Sequence, residues 1–264
     1  MNLMMKFNYP YHLVTLSPWP INMSFSLLVT MTGILMWLNN FKMNLMLIGL
    51  FLMILNLIQW WRDVIRESTM QGFHTMKVIL GLQNGMLLFI LSELMFFFSF
   101  FWCYFHMYLS PSMDIGGIWY PINLIVFNPY NIPMLNTLIL LSSGISITFC
   151  HYSIMKSNFL NSIMSMLITL ILGLIFTYFQ YLEYNESYFC INDSIYGSVF
   201  FLLTGFHGFH VILGTIFNMI MFFRMIFKHF SMFHFFGFEA SSWYWHFVDL
   251  VWLFLYIFIY WLIF

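Results

Sequence analysis

The sequence predicts an all-α membrane protein with seven transmembrane helices. Hydrophobic residues make up 62% of the 264-residue chain, and charged residues make up only 6%, whereas a soluble domain carries about a quarter charged residues. So few polar side chains cannot cover a water-facing surface, and we therefore expect lipid to surround most of the chain. The apolar runs are continuous rather than alternating, which favours helices over a β-barrel.

Seven segments are long enough to cross a bilayer, which requires about 20 apolar residues. The predicted spans cover residues 20–38, 43–61, 78–107, 133–155, 160–182, 195–223 and 238–262. In the third span, Gly81 and Gly85 form a GxxxG motif that would permit close contact with another helix.

Two polar segments between the spans are predicted to be loops. The stretch WWRDVIREST at 60–69 divides the chain into an N-terminal segment with a two-helix bundle, residues 1–70, and a five-helix bundle, residues 71–264. The second loop is predicted at 108–133, where several prolines break the helical pattern.

Basic residues predict the orientation, because lysine and arginine collect on the side where a membrane protein is made. Seven spans place the two ends of the chain on opposite sides. The N-terminal side holds seven of the eight basic residues, namely Lys6, Arg62, Arg66, Lys77, Lys156, Arg224 and Lys228. The other side holds Lys42 and a group of acids, namely Asp114, Glu183, Glu186 and Asp193. The N-terminus is therefore expected to face the compartment of synthesis.

Composition also bears on several classes of function. The net charge is −1 and no basic block is present, so nothing indicates nucleic-acid binding. The three cysteines show no CxxC spacing, so neither a disulfide framework nor a thiolate metal site is predicted. The 35 phenylalanines against a single alanine, Ala240, suggest an AT-rich genome such as that of an organelle.

The stretch FILSELMFFFSFFW at 89–102 carries one acid, Glu93, deep inside the third span. Glu93 follows Lys77 by a helical distance of about 24 Å. In the sixth span, which runs the other way, His207 and His210 lie at a matching depth, so a hydrogen bond to Glu93 is geometrically feasible. Two interpretations remain open: a functional carboxyl, or a neutral, hydrogen-bonded carboxyl that holds helices together.

Other histidines give weaker indications. His246 and Asp249 share one face of the seventh span, which is compatible with a proton relay, a metal site or an internal polar pair. His207 and His210 share one helix with no second cluster opposite, so neither a haem nor a copper site is predicted. No catalytic residue is predicted in the chain.

Five motifs then identify a family. They are SPWP (17–20), QWWRDVIREST (59–69), SELMFF (92–97), TGFHGFHV (204–211) and FGFEASSWYWHFVDLVWLFLY (236–256). Together and in this order they resemble cytochrome c oxidase subunit III over nearly the whole chain.

The resemblance implies a core subunit of the terminal respiratory oxidase in the mitochondrial inner membrane. That complex passes electrons from cytochrome c to oxygen and pumps protons. Haem and copper would belong to subunits I and II, which with small accessory subunits would be the partners, and cytochrome c would be met only through the complex. The two bundles would form a V-shaped cleft that holds phosphatidylglycerol, phosphatidylethanolamine or cardiolipin. The N-terminus would lie in the matrix and the C-terminus in the intermembrane space.

The resemblance also implies roles for particular residues. The family's carbodiimide-reactive carboxyl would be Glu93, and residues that contact lipid headgroups would be Trp61, Glu67, His74 and Arg224. The alternative is a stand-alone proton-coupled transporter in which Glu93 and the histidines form the proton path. The chain shows no inverted repeat and no pair of broken helices, which argues against a transporter.

Overall fold

The computed structural model describes residues 9–113, 116–119 and 124–264. The described residues form seven α-helices followed by a π-helix. The helices are α1 (Trp19–Asn40), α2 (Asn44–Thr69), α3 (Met76–Leu109), α4 (Ile132–Met155), α5 (Phe159–Asn185), α6 (Ile195–Ile226) and α7 (Phe236–Leu255), and the π-helix is Tyr256–Trp261. All seven α-helices are long and apolar enough to cross a membrane, which confirms the predicted fold class. Of the charged residues used to predict the orientation, Lys6 and Asp114 lie outside the described residues.

Local sequence signals set the ends of several helices. α1 begins directly after Pro18 and carries a second proline in its first turn, where a helix does not need the missing N–H. α5 begins after Asn158, whose side-chain oxygen accepts a hydrogen bond from the N–H of Asn161 at 3.5 Å. When the π-helix is counted as the continuation of α7, the predicted spans agree with the helices to within three residues at every end except the C-terminus of α2.

The prediction of a loop at 60–69 is wrong, because these residues form the last turns of α2. No proline or glycine interrupts the helix before Gly72, which adopts a left-handed conformation with φ of 67°. Asp63 also lies 3.2 Å from Arg62 and 3.7 Å from Arg66, and a pair of opposite charges three residues apart supports a helix. The polar sequence therefore marks where α2 leaves the apolar region, not where the helix ends.

The first compact unit extends to Leu82 and contains α1 and α2. Two glycines allow these helices to approach closely. A Cβ atom added to Gly33 would lie 2.4 Å from the backbone nitrogen of Met46, and one added to Gly49 would lie 2.6 Å from Cγ2 of Thr30. The helices therefore pack backbone against backbone, as small residues permit in membranes.

The predicted GxxxG motif makes no such contact within this chain. A Cβ atom added to Gly81 or Gly85 would meet no described atom within 4 Å. The close helix contact is made in α1 and α2 instead.

The second compact unit begins at Gln83 and has an aromatic core. Trp245 and Trp252 of α7 are almost completely buried. The indole of Trp245 lies against Gly173 and Gly214, where an added Cβ would come within 2.8 and 3.0 Å of the ring. Its Nε1 donates a hydrogen bond to Oγ of Ser143 at 2.9 Å. Glycines on α5 and α6 thus make room for a tryptophan that also binds α4.

The π-helix joins the end of α7 to α3. The hydroxyl of Tyr104 on α3 donates a hydrogen bond to the carbonyl oxygen of Phe258 at 2.8 Å. The ring of Phe105 packs edge-on against that of Phe258, with centroids 4.9 Å apart. These contacts hold α3 against the C-terminal segment and set the rotation of the helix that carries Glu93.

Candidate functional site

Glu93 lies midway along α3, and its carboxyl group meets the imidazole of His210 on α6. Oε2 of Glu93 and Nε2 of His210 are 3.0 Å apart. Within this chain 9% of the His210 side chain and 24% of the Glu93 side chain are exposed. The pair therefore joins two transmembrane helices, while one side of the carboxyl group stays open.

The second ring nitrogen of His210 determines which atom carries the proton. Nδ1 lies 2.6 Å from the carbonyl oxygen of Phe206, and because a carbonyl only accepts, Nδ1 carries a hydrogen. If the imidazole is neutral, Nε2 accepts and a protonated Glu93 donates. If the proton has moved, an imidazolium donates to a carboxylate. In both states one proton lies between the two groups and the pair has no net charge, which avoids burying an isolated charge.

Aromatic rings surround this carboxyl–imidazole pair. The rings of Phe97 and His210 meet edge-on with centroids 5.0 Å apart, and Tyr244 of α7 stacks against His210 at 6.3 Å. Phe96 lies 6.4 Å from the same imidazole. The pair can exchange a proton internally and anchor α3 to α6, but these neighbouring ring faces offer mainly apolar surface.

His207, the other candidate partner, bonds elsewhere. Its side chain is fully buried, and its Nε2 lies 3.1 Å from the carbonyl oxygen of Val248. Its ring packs against Phe176 at 5.5 Å and Trp252 at 5.2 Å. The structure thus brings His210, not His207, to Glu93. The rotation of α6 determines which histidine faces Glu93, and the depth of the two residues along the helix could not predict it.

His246 and Asp249 lie on α7 beside Gly144 of α4. A Cβ atom added to Gly144 would lie 3.2 Å from Oδ2 of Asp249 and 3.8 Å from Nδ1 of His246. The two side chains are close to the same point but form no hydrogen bond with each other in the described structure. Oδ1 of Asp249 is buried without a partner among the described residues.

Arg224 lies near the end of α6 in a partly apolar pocket. Its guanidinium carbon is 4.7 Å from the ring centroid of Phe230, and a Cβ atom added to Gly237 would lie 2.6 Å from its Nη1. Its Nε is buried and has no hydrogen-bond partner among the described residues. Across the described ranges, no carboxylate comes within salt-bridge distance of Arg224.

Two histidines in the segment after α6 have pKa values that are lowered by burial and by Arg224. The pKa values of His229 and His234 lie below their ordinary value of 6.5, because burial disfavours the charged imidazole and because Arg224 adds positive charge. The positive charge of Arg224 therefore acts on both imidazoles.

The other residues proposed to contact lipid lie in the first unit. Trp61 is 60% exposed, and His74 is half-buried. Glu67 already has two donors: Oε2 lies 3.2 Å from Nε2 of His12, and Oε1 accepts a hydrogen bond from Thr15 at 3.1 Å. Its carboxyl group thus ties the N-terminal segment to the end of α2.

The sequence analysis missed a second buried acid. Glu183 was grouped with the acids on the side opposite the basic residues, whereas it lies in the last turn of α5 and is fully buried. Tyr260 of the π-helix donates a hydrogen bond to Oε1 of Glu183 at 2.5 Å. Gln180 lies one turn earlier and is also buried. The spacing of Gln180 and Glu183, on one face directly after an apolar run, was the available signal.

The sequence predicts no metal site in this chain, and the placement of the potential metal ligands can be compared with that prediction. No group of three His, Cys, Asp or Glu side chains in residues 9–113, 116–119 and 124–264 is placed to hold a metal ion. Cys150 is buried and its thiol donates to the carbonyl oxygen of Ser162 at 3.3 Å, while Cys103 and Cys190 are exposed.

Comparison with known proteins places these features in a wider group. A family model described as cytochrome c oxidase subunit III matches residues 9–263. A curated relative from Heterololigo bleekeri, named cytochrome c oxidase subunit 3, is 54% identical over 252 residues, which cover 96% of this chain and 97% of the relative. Relatives of the same name from Aedes aegypti and Pisaster ochraceus are 51% and 50% identical, over 96% and 97% of this chain and 97% and 99% of their own lengths. The matched region contains all seven helices and the carboxyl–imidazole pair.

Proposed function

Because the chain belongs to the cytochrome c oxidase subunit III family, we propose that it packs against the haem- and copper-bearing subunits, stabilises them and binds phospholipid. The chain is a subunit of the oxidase, a proton-pumping oxidoreductase, and a multi-pass protein of the mitochondrial inner membrane. The observation that carries this conclusion is the family match over residues 9–263. The relatives give no support to the alternative of a stand-alone transporter.

We assign the electron carriers to the partner subunits. Both ring nitrogens of His210 are engaged, with Phe206 and Glu93, and one nitrogen of His207 binds the carbonyl of Val248. Because both ring nitrogens of His210 already form hydrogen bonds, this residue is poorly placed to ligate a metal, which supports a structural role for it.

Glu93 is proposed to stabilise helix packing. Its hydrogen bond with His210 joins α3 to α6 at the middle of the membrane, and the pair carries no net charge in either proton arrangement. A proton path would require further acids or bases in series, and the neighbouring groups around the imidazole are aromatic rings. Glu93 would then protect the oxidase core and its proton uptake indirectly.

Arg224 is proposed to bind the phosphate of a phospholipid. A guanidinium can donate two parallel hydrogen bonds to phosphate oxygens, and Arg224 has no carboxylate partner in the described part of the chain. The positive charge of Arg224 also contributes to lowering the pKa values of His229 and His234, and an anion beside Arg224 would offset that charge. Phosphatidylglycerol, phosphatidylethanolamine and cardiolipin are the candidate lipids.

The first unit is proposed to contact headgroups through Trp61, His74 and Glu67. An exposed tryptophan at the end of a transmembrane helix is typical of the membrane interface. Glu67 accepts from His12 and Thr15, so its main contribution would be to hold the N-terminal segment, with a headgroup amine or hydroxyl as a further donor.

The orientation is proposed to have the N-terminus in the matrix and the C-terminus in the intermembrane space. Arg62 and Arg66 lie in the last turns of the second span and Arg224 in the last turn of the sixth, and basic residues that follow even-numbered spans support this arrangement.

Purification separates the oxidase subunit from the alternative. The tagged chain in mild detergent should co-purify with haem-bearing subunits, and the isolated chain should show no haem absorbance. The chain in liposomes should not move protons or solutes by itself. Haem or copper bound to His207, His210 or His246, or proton-coupled transport by the isolated chain, would overturn the proposal.

A further inference from the structure

Asp249 lies at the middle of the membrane and has no hydrogen-bond partner among the residues that the structure describes. It is thirteen residues after Phe236 and twelve before Trp261 in the seventh span, so it is about 20 and 18 Å from the two ends. The residue is 9% exposed, and its Oδ1 is buried without a partner among the described residues. A carboxyl group in hydrocarbon is unfavourable unless its oxygens are hydrogen-bonded, whether or not it is ionised.

Asp249 forms a polar notch together with Gly144 and His246. The missing side chain of Gly144 leaves space beside the carboxyl group, since an added Cβ would be only 3.2 Å from Oδ2. The sequence neighbours Ile145 and Leu250 are 71% and 49% exposed. Gly144 and Asp249 are themselves buried, whereas His246 is half-buried, so the polar notch lies at the edge of the α4–α7 contact, next to the outer surface of these helices.

We propose that the polar notch is a docking site for a transmembrane helix of another oxidase subunit, which presents a hydroxyl, amide or basic donor to Asp249. Donor complementarity selects this occupant. A phospholipid carries its donors in the headgroup, at the ends of a hydrocarbon layer about 30 Å thick, so it offers only apolar chains at the depth of Asp249. The inference rests on the chain being an oxidase subunit, as proposed above.

A structure of the assembled oxidase is the direct test. The expected result is an N–H or O–H group from another chain within hydrogen-bond distance of a carboxyl oxygen of Asp249. Water alone, or lipid tails alone, at this carboxyl group would overturn the proposal.

Variants of the assembled oxidase provide an independent measurement. The hydrogen bond should be lost in Asp249→Leu, and the fraction of the chain released by increasing detergent should rise about three- to tenfold, the range expected for one hydrogen bond between membrane helices. Asp249→Asn keeps one carbonyl oxygen and should show a smaller rise. The control is Thr177→Val, which removes an exposed hydroxyl that bonds only to the carbonyl of Leu174 in its own helix, and it should release no more than the parent. An unchanged fraction in Asp249→Leu would contradict the proposal.

Because Asp249→Leu can also affect folding, a photoreactive residue at the exposed position Leu250 keeps the test independent of stability. In the purified oxidase it should cross-link this chain to another oxidase subunit, and labelling of lipid alone would overturn the docking site. Failure of the chain to co-purify with haem-bearing subunits would refute the oxidase role itself. Co-purification with lipid-only labelling would refute the docking site and leave that role intact.

Discussion

Replacing Glu93 by glutamine removes the proton that Glu93 and His210 share but keeps the contact between them. Nδ1 of His210 carries a hydrogen because it bonds the carbonyl of Phe206, so Nε2 of the neutral ring accepts. A glutamine amide at position 93 can donate to this nitrogen across the 3.0 Å separation seen for the carboxyl group. We therefore expect Glu93→Gln to assemble and to show near-normal turnover and near-normal proton pumping.

The size of the stability change follows from which partners remain. A satisfied hydrogen bond contributes about 0.5–1.5 kcal/mol net, so the glutamine variant, which keeps a hydrogen bond, should lose no more than about 1.5 kcal/mol. Glu93→Leu leaves Nε2 of His210 unpaired, which costs about 1–3 kcal/mol, and the 24% exposure of the Glu93 side chain favours the lower end. The double variant with His210→Leu should cost less than the two single changes added together, since neither polar group is left alone.

The assay uses the oxidase reconstituted into vesicles. Turnover with cytochrome c and protons released per electron measure function, and the rate of thermal inactivation compares stability. Ser92→Ala is the matched control, because the Ser92 hydroxyl lies next to Glu93 and bonds only to the carbonyl of Phe89 in its own helix. If Glu93→Gln abolished pumping while assembly and lipid content stayed unchanged, Glu93 would carry protons itself and our assignment would be refuted.

Three further predictions concern packing, lipid and orientation. Gly33→Ala should weaken the α1–α2 contact and shorten the half-life of the oxidase at elevated temperature, because the added Cβ would lie 2.4 Å from a backbone nitrogen of α2. The control Gly81→Ala should be neutral, because its added Cβ would meet no described atom within 4 Å. Equal effects of the two changes would contradict this reasoning. Arg224→Gln should reduce the anionic phospholipid that co-purifies. In the parent chain, lipid retention should rise as pH falls, because a bound anion raises the lowered pKa of His234 and so binds together with a proton. Phospholipid content that is independent of both changes would contradict this prediction. An amine reagent should reach Lys156 from the matrix side of intact membranes, and labelling from the intermembrane side would overturn the orientation.

Local patterns in the sequence determined the number of helices, their approximate ends and the depth of Glu93. Hydropathy works at this level because a helix in lipid must satisfy its own backbone and cover itself with apolar side chains, which is a property of each segment alone. The motifs around Glu93, His207 and His210 also indicated the family, which the comparisons confirm. The end of α2 was predicted less well, because polar side chains such as those at 60–69 continue a helix into water as readily as they form a loop.

Only the tertiary structure decided which groups meet. His207 and His210 are at nearly the same depth, and the rotation of α6 sends one to Val248 and the other to Glu93. Glu183 belongs by composition to an acidic exterior, but Tyr260, 77 residues later in the chain, covers it. Such contacts depend on how helices far apart in sequence rotate and pack against one another. No single segment contains that information, because each helix satisfies its own backbone in any rotation, and the orientation is selected by the side chains of its neighbours.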